Sequence, residues 1–466
     1  MHVELKQKIS VFSLVLLITG AIDSIRNLPG VALFGSSLIF FFILSAIIFL
    51  IPVALVSAEL ASTWYQEEGG IYSWVNKAFG ENIAFLAIWL QWINTLIWYP
   101  TILSFIAGLF AYLISPTLAH NKYYLISVIL IVFWGLTLIG LRGLRASATF
   151  ASTCALLGMI LPMGFIIVLA VIWLVSGKPL AIDLSLSHLI PHSGDGQSWV
   201  SLTAIMTSFL GMELAAVHVR HIDNPQKSFP RAMFFSVLLI LSTMILGSLA
   251  IAFVLPKAQI NLVDGVMQAF HNFLQVYHLS YLLPVIITLL LLGSLGSMVN
   301  WIISPAKGLL LAADSNFLPH SLYRLNKYGV ASRVLILQAI LVTLFCSGFL
   351  LFPRINTIYW LFTDLSTELY MMMYVLMFLS AWKIKRNFSY LNPSFTIPGG
   401  KIGYYLTCLL GLTGCFITLF VGFFPPESSM DTQEIHHFQA IFAEGIGLML
   451  LPLGLLYLRK IICQRG

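Results

Sequence analysis

The chain has 466 residues, of which 59% are apolar and only 9% charged, with a mean hydropathy of +0.94, against about 25% charged residues in an ordinary soluble domain. These values exclude a soluble or a disordered protein, and long uninterrupted apolar runs such as Ser236 to Val254 exclude an outer-membrane barrel, whose strands alternate in segments of about ten residues. The formal net charge of +6 is explained by where the basic residues lie along a membrane chain, so no nucleic-acid partner is expected.

Taken in chain order, apolar spans are expected at 9–33, 37–59, 82–114, 122–140, 150–176, 198–219, 230–256, 281–305, 332–352, 356–381, 402–424 and 437–458. With about 20 to 25 residues per crossing, these twelve helices leave only short loops and no room for a sizeable soluble domain. The expectation is an all-α membrane protein whose residues 1–466 form a single transport domain. Helices 1–5 fall within 1–176, helices 6–10 within 198–381, and two further helices within 402–458. The first run starts near Ile9 without a small-residue cleavage site, so it is expected to be retained as a helix. The five cysteines show neither C-x-x-C nor metal-ligand spacing, which predicts no disulfide framework, no metal and no cofactor. Of the 24 lysines and arginines, Arg26 lies within the first span and only Lys122, Lys178, Lys257 and Arg354 fall on the side opposite the termini. That bias predicts that both termini are cytoplasmic.

Two spans are interrupted. In the first, Thr19-Gly20-Ala21-Ile22-Asp23-Ser24-Ile25-Arg26-Asn27-Leu28-Pro29 breaks the apolar run at roughly 17 Å depth, near the bilayer midplane. In the sixth, Leu210-Gly211-Met212-Glu213 precedes a half-helix carrying His218, Arg220 and His221. Hydrocarbon offers an unpaired backbone group no water, so such irregularity is tolerated only where it lines a cavity. Broken helices five spans apart predict a LeuT-like inverted repeat, five helices plus five, with the substrate site between helices 1 and 6.

Among the polar side chains within spans, Glu213 is the foremost candidate for substrate or proton coupling, since an ionised carboxylate at that depth costs about 2.5 to 3.5 kcal/mol. Asp23 and Arg26 are spaced to neutralise each other on one helical face, or else Arg26 faces the cavity and holds a carboxylate. Asp364 and Glu368 stand four apart, so the two are not expected to be charged together. They are candidates for a proton relay, for a watery outer vestibule, or for pairing with Arg354. His218 and His221 read as solvated helix-end residues, Glu59 and Glu444 as structural ones.

Further motifs bring in a family. Glu67-Glu68-Gly69-Gly70-Ile71-Tyr72-Ser73-Trp74-Val75, Asp223-Asn224-Pro225 with Phe229-Pro230-Arg231-Ala232-Met233, Ser304-Pro305-Ala306-Lys307-Gly308 with Asn316-Phe317-Leu318-Pro319, and Phe395-Thr396-Ile397-Pro398-Gly399-Gly400-Lys401 resemble the amino acid/polyamine/organocation superfamily, in particular its bacterial glutamate/GABA antiporters. The resemblance runs along nearly the whole chain. It implies a twelve-helix LeuT-like fold in the bacterial inner membrane and exchange of amino acids or their decarboxylation products. It also implies that Gly211 and Glu213 belong to the unwound part of helix 6, that Trp301 is the tryptophan of helix 8, and that Tyr370 and Tyr374 are tyrosines near the substrate. With Gly20, Ala21, Ile22, Asp23, Arg26 and Ser297, these residues make up the expected substrate site. Ser297 stands where the glutamate/GABA members carry a carboxylate, and Arg26 where an uncharged or aromatic residue is usual. The chain stops at Gly466, a few residues past the last span, so plug-type pH gating is not expected.

The function expected is therefore secondary amino acid transport, by exchange of the glutamate/GABA type, with proton-coupled symport as its rival. A membrane sensor that binds without moving its ligand is an alternative of another class. No H-E-x-x-H, G-x-S-x-G or Walker A motif is present, and no catalysis is expected. The partners expected are a small-molecule substrate and the lipid bilayer, with homodimerisation left open.

Overall fold

The computed structural model describes residues 10–65, 70–142, 153–154, 156–191, 196–222, 224–310, 317–352, 354–387, 395–424 and 432–465. Glu67 and Glu68, and the side chains of Ala21, His218, His221 and Ser297, lie outside what it describes. Every regular element among the described residues is a helix. We number the spans α1 (Val11–Ile22, resuming at Leu28–Ala32), α2 (Leu38–Ser45 through Ile51–Thr63), α3 (Glu81–Ile114), α4 (Lys122–Leu141), α5 (Leu156–Ile160 and Leu161–Val175), α6 (Gly196–Thr207, then Met212–His221), α7 (Pro225–Val254), α8 (Leu283–Leu310), α9 (Ser332–Cys346), α10 (Ile355–Asn387), α11 (Gly400–Val421) and α12 (Thr432–Arg465).

Among the described residues eleven helices are long and apolar enough to cross a bilayer, and the one expected span that falls short is the sixth. Its regular helix stops at Thr207, so its apolar run is too short on its own. The break that shortens it is the feature the sequence points to. Several helices also run past their apolar spans, α10 to Asn387 and α12 to Arg465, because hydropathy reports only the part that lipid requires to be apolar.

α3 and α10 are the central pair. Both are buried on most faces, and α10 packs along α3 and α11 while α8 and the short helix Ile71–Phe79 lie against α3. That short helix is amphipathic, burying Ile71, Trp74, Val75 and Ala78, as its sequence pattern implies. Exposed apolar residues such as Ile131, Val175, Ile402 and Phe420 cover the outside, where lipid is the solvent. Glu59 near the end of α2 is structural. It is 3% exposed, pairs with Lys385 at 2.5 Å and accepts from the Ile397 N–H at 2.8 Å, so it ties α2 to the end of α10 and to the segment before α11.

Between α7 and α8, residues 255–282 fold over the second half of α1. A Cβ on Gly265 would lie 3.0 Å from Pro29, and one on Gly108 of α3 would lie 3.0 Å from the Val263 carbonyl. Asp264 anchors this cover. It is 1% exposed, and its Oδ2 accepts from Tyr112 at 3.1 Å and Gln268 at 3.4 Å, while Oδ1 has no donor. Burial raises its pKa, and His120 and the Tyr112 hydrogen bond oppose that rise. A carboxyl raised on folding contributes stability that is full below its unfolded pKa and is lost as pH climbs through the folded one. Asp264→Asn should therefore melt higher than the parent by about 2 °C at pH 8 and converge with it below about pH 4, the unfolded carboxyl's range. A melting-temperature difference that stays constant with pH would contradict this.

Candidate functional site

The site begins at the two breaks. α1 ends in regular form at Ile22, and Asp23 and Ser24 are extended, with ψ of 104° and 113°. Chain direction then recovers through the tight turn Ile25–Asn27. The Asp23 N–H still bonds to the Thr19 carbonyl at 2.7 Å, but among the described residues no main-chain donor beyond it reaches the carbonyls of Gly20 or Ile22. In α6 the i→i−4 ladder gives out over Ser208–Gly211, and Gly211 adopts φ +102°. Only glycine takes that conformation without strain. The breaks face one another: a Cβ on Gly211 would lie 3.8 Å from Cγ1 of Ile22.

Two polar groups flank these breaks. The first surrounds Glu213, which is 2% exposed. Its Oε1 accepts from the Tyr370 hydroxyl at 2.6 Å and from the Gln91 amide at 3.3 Å, and its Oε2 accepts from the Tyr374 hydroxyl. Tyr374 in turn accepts from the Gly211 N–H at 2.8 Å. One carboxylate thus joins α3, α6 and α10 and pins the break in α6 through a single tyrosine.

The second group surrounds Arg26, 4% exposed. Its Nη1 donates to Thr101 at 2.5 Å and to Tyr359 at 3.4 Å, and its guanidinium lies 5.1 Å from the Trp98 ring centroid. Trp98 is 5.3 Å from Trp301, so Trp301 belongs to this group and not to that of Glu213. The expected neutralisation of Asp23 by Arg26 does not occur. Asp23 accepts instead from Thr243 of α7 at 2.7 Å. The reason is local: i,i+3 pairing requires a continuous helix, and the two extended residues turn the carboxylate and the guanidinium apart.

Asp364 and Glu368 are also placed differently from expectation. At 1% and 0% exposure they face no watery vestibule, and none of their four carboxyl oxygens accepts a hydrogen bond among the described residues. Tyr359, Tyr370 and Tyr374 share one face of α10, whereas Asp364 and Glu368 follow Tyr359 by five and nine residues and so point 140–180° away, at about 100° per residue. Glu368 accordingly meets α11, where a Cβ on Gly422 would lie 2.0 Å from its Oε1. The acid pair and Glu213 are not one constellation. Gln91, Trp98, Thr101 and Tyr359 are the participants that reading the sequence missed.

An amino acid permease family model matches residues 9–446. The chain is 40% identical over 442 residues to an uncharacterised transporter of Legionella pneumophila, covering 95% of this chain and 94% of that one. It is 28% identical over 441 residues to the glutamate/gamma-aminobutyrate antiporter of Lactococcus lactis, covering 94% and 87%, and 24% identical over 384 residues to a probable agmatine/putrescine antiporter of the same species, covering 82% and 80%. Among solved structures, the manganese transporter of Eremococcus coleocola, crystallised with an aromatic bis-isothiourea compound, superposes with a TM-score of 0.61 at 12% identity over 99% of this chain and 96% of that one. That likeness concerns the fold, an all-α architecture of the LeuT type. A model match over nearly the full length and a relative at 40% identity settle the classification: the chain is a membrane transporter, not an enzyme, and belongs to the amino acid permease family.

Proposed function

We propose that the protein exchanges amino acids across the bacterial inner membrane, as a single transport domain with both termini in the cytoplasm, by alternating access around the breaks in α1 and α6. The observation that carries this reading is the approach of Gly211 to Ile22, which sets two interrupted helix ends against each other in the middle of the bundle. Freed carbonyls at Gly20, Ala21 and Ile22 suit an α-amino group, and the half-helix beginning at Met212 suits an α-carboxylate, by the partial charges of helix ends. Asp23, Arg26, Ser297, Trp301, Tyr370 and Tyr374 complete the proposed substrate site. The relatives named as antiporters support exchange over binding alone.

Glu213 is the proposed coupling group, because Tyr374 links it to the Gly211 N–H at the break in α6. We do not assign that role to Asp364 and Glu368, which lie on the α11 side of α10. The test is counterflow in proteoliposomes. Uptake of labelled glutamate, γ-aminobutyrate or another amino acid is expected only when the lumen holds unlabelled amino acid. Uptake driven by an imposed pH gradient into empty vesicles would replace exchange with symport, and binding without flux would leave a sensor.

A further inference from the structure

Arg26 is a buried cation without a counter-charge. No carboxylate among the described residues pairs with it: Asp23 is turned to Thr243, Glu213 is held by its tyrosines, and Asp364 and Glu368 lie round the far side of α10. A guanidinium removed from water with no anion is costly by several kcal/mol, so the arrangement has a missing member.

The geometry indicates what that member is. Thr101, Tyr359 and Trp98 engage Nη1 and the face of the guanidinium. Nε is buried and has no partner. The edge formed by Nε and Nη2 is therefore left over, and that edge is the one that takes a carboxylate through two parallel N–H···O bonds. It is fixed in place by its neighbours, so little side-chain freedom would be lost on binding. It is also adjacent to the break, two residues beyond Ser24.

We infer that Arg26 is the specificity-determining residue of the site and that its free edge receives the second carboxylate of a dicarboxylic amino acid. This rests on the reading that the two breaks hold the groups common to all amino acids; Arg26 then distinguishes acidic substrates from their amides. The alternative, a purely structural arginine bracing α1 against α3 and α10, predicts no such discrimination.

The test compares glutamate with glutamine, which have nearly the same shape, as competitors of counterflow by the full-length protein in proteoliposomes. The parent should prefer glutamate. Arg26→Gln should weaken glutamate about a hundredfold while glutamine stays within threefold, and Arg26→Lys, which keeps the charge but not the fork, should lose about tenfold for glutamate. Equal losses for both substrates, or a parent that prefers glutamine, would overturn the assignment while leaving amino acid exchange standing. A folded parent that moves no amino acid would instead remove the exchange reading on which the inference rests. Should the variants fail to fold, the parent alone decides by thermal shift: at equal concentration glutamate should raise its melting temperature more than glutamine does, and equal shifts would count against Arg26.

Discussion

Glu213→Ala should lower transport about a hundredfold, equivalent to about 2.7 kcal/mol at 1.36 kcal/mol per factor of ten. The carboxylate accepts from three side chains on two helices, and the loss extends beyond those bonds. Without Glu213, Tyr374 has no acceptor for its hydroxyl, and the Gly211 N–H is held by a side chain that has itself come loose. The break in α6 then lacks its anchor to α10. Glu213→Gln separates shape from charge, since it preserves size while removing titration. If Glu213 couples protons to the substrate, the glutamine variant should remain folded in the membrane yet flatten the pH dependence of transport. An unchanged pH profile would show that Glu213 serves only as a structural tie.

The largest effect on stability is expected where α5 crosses α8. A Cβ on Gly158 would lie 2.2 Å from the Cα of Gly293, and one on Gly293 would lie 2.5 Å from the Cα of Gly158. Both obstacles are backbone, which no rotamer change can relieve. Two helices in lipid gain their attraction from such close approach, because there is no hydrophobic effect between apolar surfaces already in hydrocarbon. Gly158→Ala or Gly293→Ala should therefore separate the helices and cost about 3 kcal/mol, the upper end for overpacking. It should appear as a sharp fall in the monodisperse fraction on size exclusion and in melting temperature. Gly164, further along α5, supplies the control, since nothing lies within 4 Å of its Cβ position. Gly164→Ala should leave both readings unchanged.

Much of the bundle is legible in the sequence. Membrane spans leave a strong mark because hydrocarbon admits few polar residues, and the breaks leave one because glycine and charged residues interrupt that pattern. Side-chain partners were less accessible. Asp23 and Arg26 look paired on a helical wheel, yet two extended residues between helical segments undo the wheel itself. For Asp364 and Glu368 a proton relay, a watery vestibule and pairing with Arg354 all stay open in the sequence, because it does not reveal which face of α10 meets α6 and which meets α11. Gln91 and its companions could have been found. Gln91, Asn94, Thr95, Trp98 and Thr101 recur at helical spacing along α3, a polar stripe inside an otherwise apolar span, and α10 answers it with Tyr359, Ser366 and Tyr370. Asn94 accepts from Ser366 at 2.5 Å, between the groups of Arg26 and Glu213 and nearer the latter along α3.

This stripe gives the proposed transport path a physical form. Arg26 and Glu213 are held by residues ten positions apart on α3, Thr101 and Gln91, a separation of about 15 Å at 1.5 Å per residue. The breaks in α1 and α6 lie beside that interval. At the Glu213 end a crevice lined by Ala61, Trp64, Ser73, Trp74, Ala216 and Val219 adjoins the half-helix of α6, while at the Arg26 end residues 255–282 cover α1. Exchange would require each end to open in turn about the fixed interval between them.

The most direct measurement is a cryo-electron microscopy map of the full-length protein in nanodiscs at saturating glutamate. Density for one amino acid is expected between the two breaks, its amino group against the carbonyls of Gly20 to Ile22 and its backbone carboxylate at the turn before Glu213. Uninterrupted helices at α1 and α6, or glutamate bound anywhere else in the bundle, would contradict the account.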